Sequence, residues 1–237
     1  LNTGLDAMLE IGQLTIGTSS YSSRAMLKFD LSQLTAKFTN SILTNTASYF
    51  LRLTTAQPSE LPLAYTIYAY PISQSWNMGT DRYSTIATTS NGVSWYYKLS
   101  SANSSSAWTT SSFATGTTGS WTTTPGGGNW YTSSVHSQSF DYQSADILMD
   151  VTATVREWIA GTKPNEGFVL KFSTTQEANT TNPAGVARFF SKDTNTIYGP
   201  RLEMRYNDAV YHTSYSIVDY TDEVVVGITN LQTQYID

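Results

Sequence analysis

The sequence predicts an all-β fold, an antiparallel β-sandwich that carries one short α-helix. Apolar and polar residues alternate with a period of two in many short segments, which is the pattern of strands that bury one face. Turn-forming residues separate these segments at short intervals. Aromatic residues make up 13% of the 237 residues, so the chain has the large apolar side chains that a core requires.

The predicted strands can be followed along the chain. In the clearest one, Ala25, Leu27, Phe29 and Leu31 share one face, and residues 47–53 repeat the same alternation. Further strands are predicted at residues 63–71, 168–172, 188–191 and 201–206. The same alternation places acidic side chains, such as Asp30 and Glu203, on the solvent face of their strands.

One segment has helical periodicity instead. Within residues 150–161, four apolar residues recur at helical spacing: Val151, Val155, Trp158 and Ile159. Asp150 is placed to cap the first turn, and Gly161 is placed to end the last turn. We therefore predict one short helix across an end or edge of the sandwich, with Trp158 packed into the core.

Residues 99–140 form the most unusual stretch, a Ser/Thr/Trp-rich insertion that contains no Lys, Arg, Asp or Glu. Pro125 and the three glycines that follow it predict a tight hairpin within this stretch. Because a structureless loop of such length is unusual in a compact domain, we expect irregular hairpins pinned by the insertion's own aromatic residues. We favour an insertion that folds onto the sandwich over a separate binding lobe.

The last part of the chain has a different pattern. We predict that residues 1–206 form the sandwich and that residues 207–237 are a linker, the start of a second β module or an assembly arm. Val224, Val225 and Val226 lie in a segment too short to form a sheet alone. We expect this segment to pair with a strand of a neighbouring chain.

The charge balance excludes several classes of protein. The chain has 13 Lys and Arg, 18 Asp and Glu, and a net charge of −5 without a basic cluster, so we expect no nucleic-acid partner. The 36 Thr and 30 Ser residues take the place of charged residues, which make up only 13%. Apolar stretches fall far short of the roughly 20 residues that span a bilayer, so we expect no membrane insertion. The absence of Cys excludes disulfides, thiol nucleophiles and thiolate zinc sites.

The sequence contains no recognisable catalytic motif. His136 and His212 lack the flanking residues of known metal or nucleophile motifs, and we interpret both as surface histidines. The acidic residues are few and are not placed to face each other across a cleft. We therefore predict a non-enzymatic protein without a catalytic residue, a cofactor or a metal-ligand motif. A structural calcium ion held by backbone carbonyls would leave no motif, so that alternative stays open.

Aromatic residues are the remaining candidates for function. Flat rings can stack on sugars or fill the centre of a subunit interface, whereas a Trp beside a turn often only seals the end of a core. We predict glycan or subunit contacts at seven residues: Trp95, Tyr96, Tyr97, Trp108, Trp121, Trp130 and Tyr131.

Motifs between Ser22 and Tyr206 occur in a characteristic order. They are residues 25–31 (AMLKFDL), Trp76, Asp150-Val151-Thr152 before Val155 and Trp158, Asn165-Glu166-Gly167-Phe168, and Pro200 with Leu202. Together they resemble the DNRLRE-type jelly-roll domain, a relative of carbohydrate-binding modules. The resemblance implies a jelly-roll sandwich without catalytic activity, and it supplies no binding residues. Residues 91–95, 126–131 and 189–198 are in addition similar to structural proteins of marine tailed phages.

We therefore expect a non-enzymatic structural protein of a phage virion, in a tail, fibre or surface-decorating position. It would act in assembly and in adhesion to the host surface, as a homo-oligomer among other virion subunits in the extracellular particle. The alternative is a carbohydrate-binding module of a secreted or cell-surface protein, with a host-surface glycan as its partner. A third interpretation is a repeat of a bacterial surface adhesin.

Overall fold

The computed structural model describes residues 3–16, 19–39, 47–56, 61–82, 91–101, 104–108, 117–118, 127–141, 146–179, 181–207 and 223–229. Within these ranges the chain is mostly β-strand, in antiparallel sheets with a few short helices. The predicted all-β class with antiparallel pairing is confirmed.

The elements are named in chain order. The strands are β1 (Met8–Ile16), β2 (Ser19–Ser23), β3 (Ala25–Leu27), β4 (Ser48–Leu53), β5 (Ala64–Pro71), β6 (Tyr97–Ser101), β7 (Ser104–Ala107), β8 (Thr117–Thr118), β9 (Trp130–Tyr131), β10 (His136–Asp141), β11 (Ile147–Asp150), β12 (Phe168–Lys171), β13 (Gly185–Phe190), β14 (Arg201–Asn207) and β15 (Glu223–Thr229). The helices are α1 (Ser32–Thr39), α2 (Thr152–Ile159) and α3 (Thr174–Ala178).

Three sheets and two short hairpins are built from these strands. Sheet I has the order β10-β5-β12-β3, and sheet II has the order β11-β4-β14-β15. Sheet III joins β13, β1 and β2, and it is linked to the end of sheet II by a bridge between Phe189 and Thr55. The hairpins are β6-β7 and β8-β9.

Sheets I and II share the main hydrophobic core. In β4, Tyr49, Leu51 and Leu53 are buried, whereas Arg52 between them is exposed, as the alternation predicts. Alternate residues of β5, including Ile67, belong to the same core from the side of sheet I. The arrangement is β-sandwich-like, and full burial of a Leu or Ile side chain in this core contributes about 1.5–3 kcal/mol of transfer free energy.

Helix α2 lies within the predicted segment and packs Val155 and Trp158 into this core. Its N-cap residue is Val151 rather than Asp150, but the Asp150 carboxylate still accepts a hydrogen bond from the Thr152 N–H at 2.9 Å. Gly161, at φ 71°, ends the helix, since its N–H donates to the Trp158 carbonyl. The ring of Trp158 lies 4.7 Å from that of Phe168, so the prediction of a core position for Trp158 is confirmed.

Two further helices correct the prediction of a single one. Helix α1 follows Asp30, whose carboxylate accepts the Ser32 N–H, and helix α3 begins with a capping box between Ser173 and Gln176. The described helices are eight residues or shorter, and none of them is long and apolar enough to cross a membrane.

The position of Glu203 was predicted incorrectly. Asp30 is exposed as expected, but Glu203 is only 5% exposed, although it lies on the face of sheet II that points away from the main core. Arg52 pairs with the Glu203 carboxylate at 2.9 Å, and Arg205 lies 3.6 Å from its other oxygen. The two arginine side chains cover the carboxylate, so an outward position does not make it solvent-exposed.

The predicted tail contributes a strand to the sandwich. Strand β15 pairs with β14 of the same chain, with Asn207 opposite Glu223 and Arg201 opposite Thr229. This part of residues 207–237 is therefore the edge strand of sheet II. The rest of this segment, residues 208–222 and 230–237, lies outside the described residues.

Candidate functional site

The insertion leaves the sandwich between two neighbouring strands of sheet I. Strands β5 and β10 are hydrogen-bonded to each other, and residues 72–135 connect them. We call residues 72–135 the excursion. The excursion thus begins earlier than residue 99, and β10, within the predicted insertion, is a strand of the sandwich. An excursion that starts and ends in adjacent strands can fold over one face of their sheet without disturbing the other strands.

The described part of the excursion covers the outer face of sheet I over β3 and β12. There, Met26 of β3 and Val169 of β12 pack against Ile72, Trp108 and Trp130 in a second hydrophobic core. Successive residues of a strand point to opposite faces, and the neighbours of Met26 and Val169 along the chain belong to the main core. Strands β3 and β12 therefore lie between two cores.

Two tryptophan N–H groups are hydrogen-bonded in this second core. Trp108 donates to the Ser94 carbonyl at 3.1 Å, and Trp76 donates to the Glu166 carbonyl at 2.8 Å. Because buried indole N–H groups need an acceptor, these bonds hold both rings in place.

A cluster of three ionisable side chains lies beneath the excursion. Arg24 donates from Nε and Nη2 to the two carboxylate oxygens of Glu177, at 3.0 and 2.7 Å. Lys171 Nζ lies 3.0 Å from Glu177 Oε2 and donates to the Phe172 carbonyl at 2.5 Å. All three side chains are at most 2% exposed. We call these three residues the buried ion cluster.

Burial and charge act in opposite directions on Lys171. Burial lowers the pKa of the Lys171 ammonium, whereas the Glu177 carboxylate raises it and the Arg24 charge lowers it again. The cluster contains two cationic groups and one carboxylate. The Glu177 carboxylate therefore offsets the free-energy cost of burying both cations.

Arg24 connects the cluster to the excursion. Its guanidinium lies 4.5 Å from the ring centroid of Trp95 and 5.3 Å from that of Trp130, and it donates to the Gly127 carbonyl at 2.8 Å. Gly127 has φ 72°, and a Cβ at this position would collide with the Arg24 guanidinium. The chain therefore needs glycine at the point where the excursion crosses the arginine.

The structure separates the predicted contact residues into buried and exposed ones. Trp108 and Trp130 are 1% and 4% exposed, so both rings are core residues and offer no area to a partner. Tyr96 and Tyr97 are 58% and 39% exposed. Trp95 is half-buried against Arg24.

The last two of the seven predicted contact residues are Tyr131 and Trp121. Tyr131 is half-buried, and the Lys163 ammonium lies 5.0 Å from its ring centroid. Trp121 lies outside the described residues.

The exposed tyrosines stand on the β6-β7 hairpin. Tyr97 and Leu99 of β6, both 39% exposed, lie opposite Ala107 and Ser106 of β7, with an irregular register between them. Apart from Lys98, the two strands carry only uncharged residues, mostly serine. The hairpin therefore offers aromatic area and hydroxyl groups on a nearly uncharged surface. We call Tyr96, Tyr97 and Leu99 the tyrosine patch.

His136 is not the surface histidine that we predicted. It is half-buried, and its Nε2 lies 2.7 Å from the Thr154 hydroxyl of α2, a residue with no exposed area. Because Thr154 is fully buried, this pair holds α2 to β10 and offers no hydroxyl to a substrate. His212 lies outside the described residues.

Comparisons with known proteins give no relative. No protein-family model, no curated protein and no solved structure matches this chain. Within the described residues, no group of three His, Asp or Glu side chains is arranged to hold a metal ion.

Sequence reasoning missed the buried ion cluster. Arg24 and Glu177 are 153 residues apart, so no local spacing pairs them. Lys171 did carry a signal, because it stands between Leu170 and Phe172 in a strand whose four residues are all buried. A lysine in such a run indicates a buried partner of opposite charge.

Proposed function

We propose that this chain is a non-enzymatic structural protein of a phage particle, in a tail, fibre or surface-decorating position, which acts through assembly and adhesion. The observation that carries the proposal is the division of the insertion's aromatic residues into two sets. Trp108 and Trp130 anchor the insertion on the sandwich, and the tyrosine patch is presented outward.

This division suits a contact surface. Tyrosine is enriched in the centres of protein interfaces, and charged residues are depleted there, because burying a charge costs free energy. A patch on a hairpin that is already fixed loses little conformational entropy when a partner binds. The bonds of Trp108 and the contacts of Trp95 with Arg24 supply this rigidity at the open end of the hairpin, where β6 begins and β7 ends.

The jelly-roll assignment is part of the same proposal. The chain passes from β3 in sheet I to β4 in sheet II and back to β5, and later from β10 to β11 and back to β12. Repeated crossing between two facing antiparallel sheets is typical of jelly rolls and related Greek-key sandwiches. The topology supports the fold that the sequence resemblance implies.

The location is tested by quantifying the chain in purified particles. Mass spectrometry of particles from the source that encodes this chain should find it at a fixed ratio to the other structural proteins, and labelling in electron micrographs should place it on the particle. Particles that lack the chain would overturn the virion assignment.

The contact surface is tested by a double substitution, Tyr96→Ala with Tyr97→Ala. If each tyrosine contributes about 1 kcal/mol or more to an interface, we expect a loss of at least about tenfold in incorporation into particles or in adsorption to host cells. Tyr198→Ala is the matched control, because Tyr198 is 48% exposed and lies outside the insertion. Equal behaviour of the double variant and the control would contradict the proposal.

A carbohydrate-binding module is the second candidate, and the exposure of Tyr96 beside the half-buried Trp95 favours it. It predicts binding on a glycan array that is lost in Tyr96→Ala and kept in Tyr198→Ala. Trp130→Ala would be a poor probe, since removal of this buried ring would disturb the second core. Absence of binding to any glycan would count against this candidate.

A further inference from the structure

The outer edge of β15 is open in the part of the chain that the structure describes. Sheet II ends with β15, which pairs with β14 on one side and with no described strand on the other. Alternate residues of an antiparallel strand direct both N–H and C=O to the same side. The outer edge of β15 is therefore a row of backbone donors and acceptors that a further strand can pair with.

The opposite edge of the same sheet is closed. There, the Gln138 side chain of β10 accepts the Leu148 N–H of β11 at 2.9 Å and donates to the Asp146 carbonyl at 3.1 Å. One amide side chain thus occupies backbone groups at this edge, which blocks the approach of another strand. Among the described residues, β15 therefore provides the edge at which a further strand can extend sheet II.

The sequence of β15 favours pairing. Five of its seven residues are β-branched: Val224, Val225, Val226, Ile228 and Thr229. It contains neither proline nor lysine, which natural proteins use to protect edge strands. Its one charged residue, Glu223, stands at its end.

We infer that β15 pairs with β15 of a second copy of this chain, antiparallel and across a two-fold axis at Val226. This register overlaps all seven residues and places Glu223 opposite Thr229 of the partner subunit. A parallel in-register pairing would place the two Glu223 carboxylates side by side, which is destabilising. The antiparallel arrangement is also the one that a closed, two-fold dimer allows.

The pairing would join two copies of sheet II into one continuous sheet. The inference deepens the assembly part of the proposed function, because it names the partner and the contact. It depends on β15 alone and not on the tyrosine patch.

The absence of native Cys makes disulfide trapping a specific test, since a single introduced cysteine has no other partner in the chain. Residues opposite each other in an antiparallel pair have Cα atoms about 4.5–5.5 Å apart, within the range of a disulfide. Val226→Cys should therefore give a covalent dimer under mild oxidation. In the control Val224→Cys, the two cysteines would be about 13 Å apart along the strands, beyond that range.

Three results are expected for the full chain. Light scattering of the unmodified protein should give twice the chain mass of 26.1 kDa, falling toward one chain mass on dilution. Val226→Cys should be trapped as a dimer at least about tenfold more than Val224→Cys. Circular dichroism of both variants should match the unmodified protein, which shows that they fold.

Other results would overturn the inference. A single-chain mass at every concentration, or equal trapping of the two cysteine variants, excludes this pairing. If Val226→Cys is trapped as a dimer but the protein is absent from particles, the pairing is upheld and the virion assignment is lost. The pairing and the virion assignment can therefore fail separately. Deletion of residues 208–237 is a less suitable probe, because it would also remove β15 from β14.

Discussion

His136 is the one histidine among the described residues, and its imidazole lies between β10 and α2. Burial lowers the pKa of His136, and the nearby Asp150 carboxylate raises it in part. The folded protein therefore binds this proton less readily than the unfolded chain, in which the pKa is about 6.5. Stability should consequently fall as the pH falls below about 6.5, until the lowered pKa of the folded state is reached.

We predict that His136→Gln flattens the dependence of unfolding free energy on pH in this interval. Glutamine cannot be protonated, whereas its amide can still reach the Thr154 hydroxyl, which His136 contacts at 2.7 Å. Urea unfolding at a series of pH values measures the effect, and His212→Gln is the matched control. An unchanged slope in His136→Gln, or a slope lost equally in the control, would contradict the prediction.

The aromatic residues of the candidate site show that the sequence does not reveal which rings are buried and which are exposed. The exposed positions of Tyr96 and Tyr97 agree with their place beside turn residues. Trp108 and Trp130 come from the same Ser/Thr-rich insertion as the tyrosine patch, yet they are buried. Whether a ring is core or surface depends on the face of sheet I onto which the excursion folds, and only the fold determines that.

Helix α3 supplies the carboxylate that pairs with Arg24, the residue that contacts the excursion. It has only five residues, and it carries Glu177 beneath Arg24 and Lys171. Removal of the carboxylate would leave two cations in a buried site, and breaking a buried ion pair in this way costs about 3–5 kcal/mol.

We predict that Glu177→Gln lowers the unfolding free energy by about 3–5 kcal/mol, measured by urea denaturation. Glu166→Gln is the control. Glu166 pairs with Lys28 at 2.8 Å, but the Lys28 side chain is 42% exposed, so we expect a loss of less than about 1 kcal/mol. Similar losses in the two variants would show that the buried ion cluster is not a special source of stability.

The elements differ in how far their sequences predict them. The alternation in β4 and the helical spacing in α2 are local signals, and both elements lie where these signals place them. Helix α3 carries a capping signal, Ser173 with Gln176, that is readable in principle but short. The pairing of β15 with β14 has no local signal, because it joins segments on both sides of residues 208–222.

Strand β12 belongs to both cores. Phe168 and Leu170 lie in the main core between sheets I and II, whereas Val169 packs in the second core and Lys171 joins the buried ion cluster. A strand that is buried on both faces cannot lose one layer without exposing apolar area on that side. The excursion should therefore unfold together with the sandwich as one cooperative unit.

This cooperativity can be measured with the tryptophans. The chain has six Trp, and the substitution Trp158→Phe leaves five, all between β5 and β10. Tryptophan fluorescence then reports the excursion, whereas circular dichroism reports the sheets. In this background we predict coincident thermal transitions. Trp108→Ala should lower both by roughly 6–20 °C, since loss of a buried Trp costs about 3–5 kcal/mol. If the fluorescence transition alone moved, the excursion would be an independent unit, and a rigid tyrosine patch would lose its physical basis.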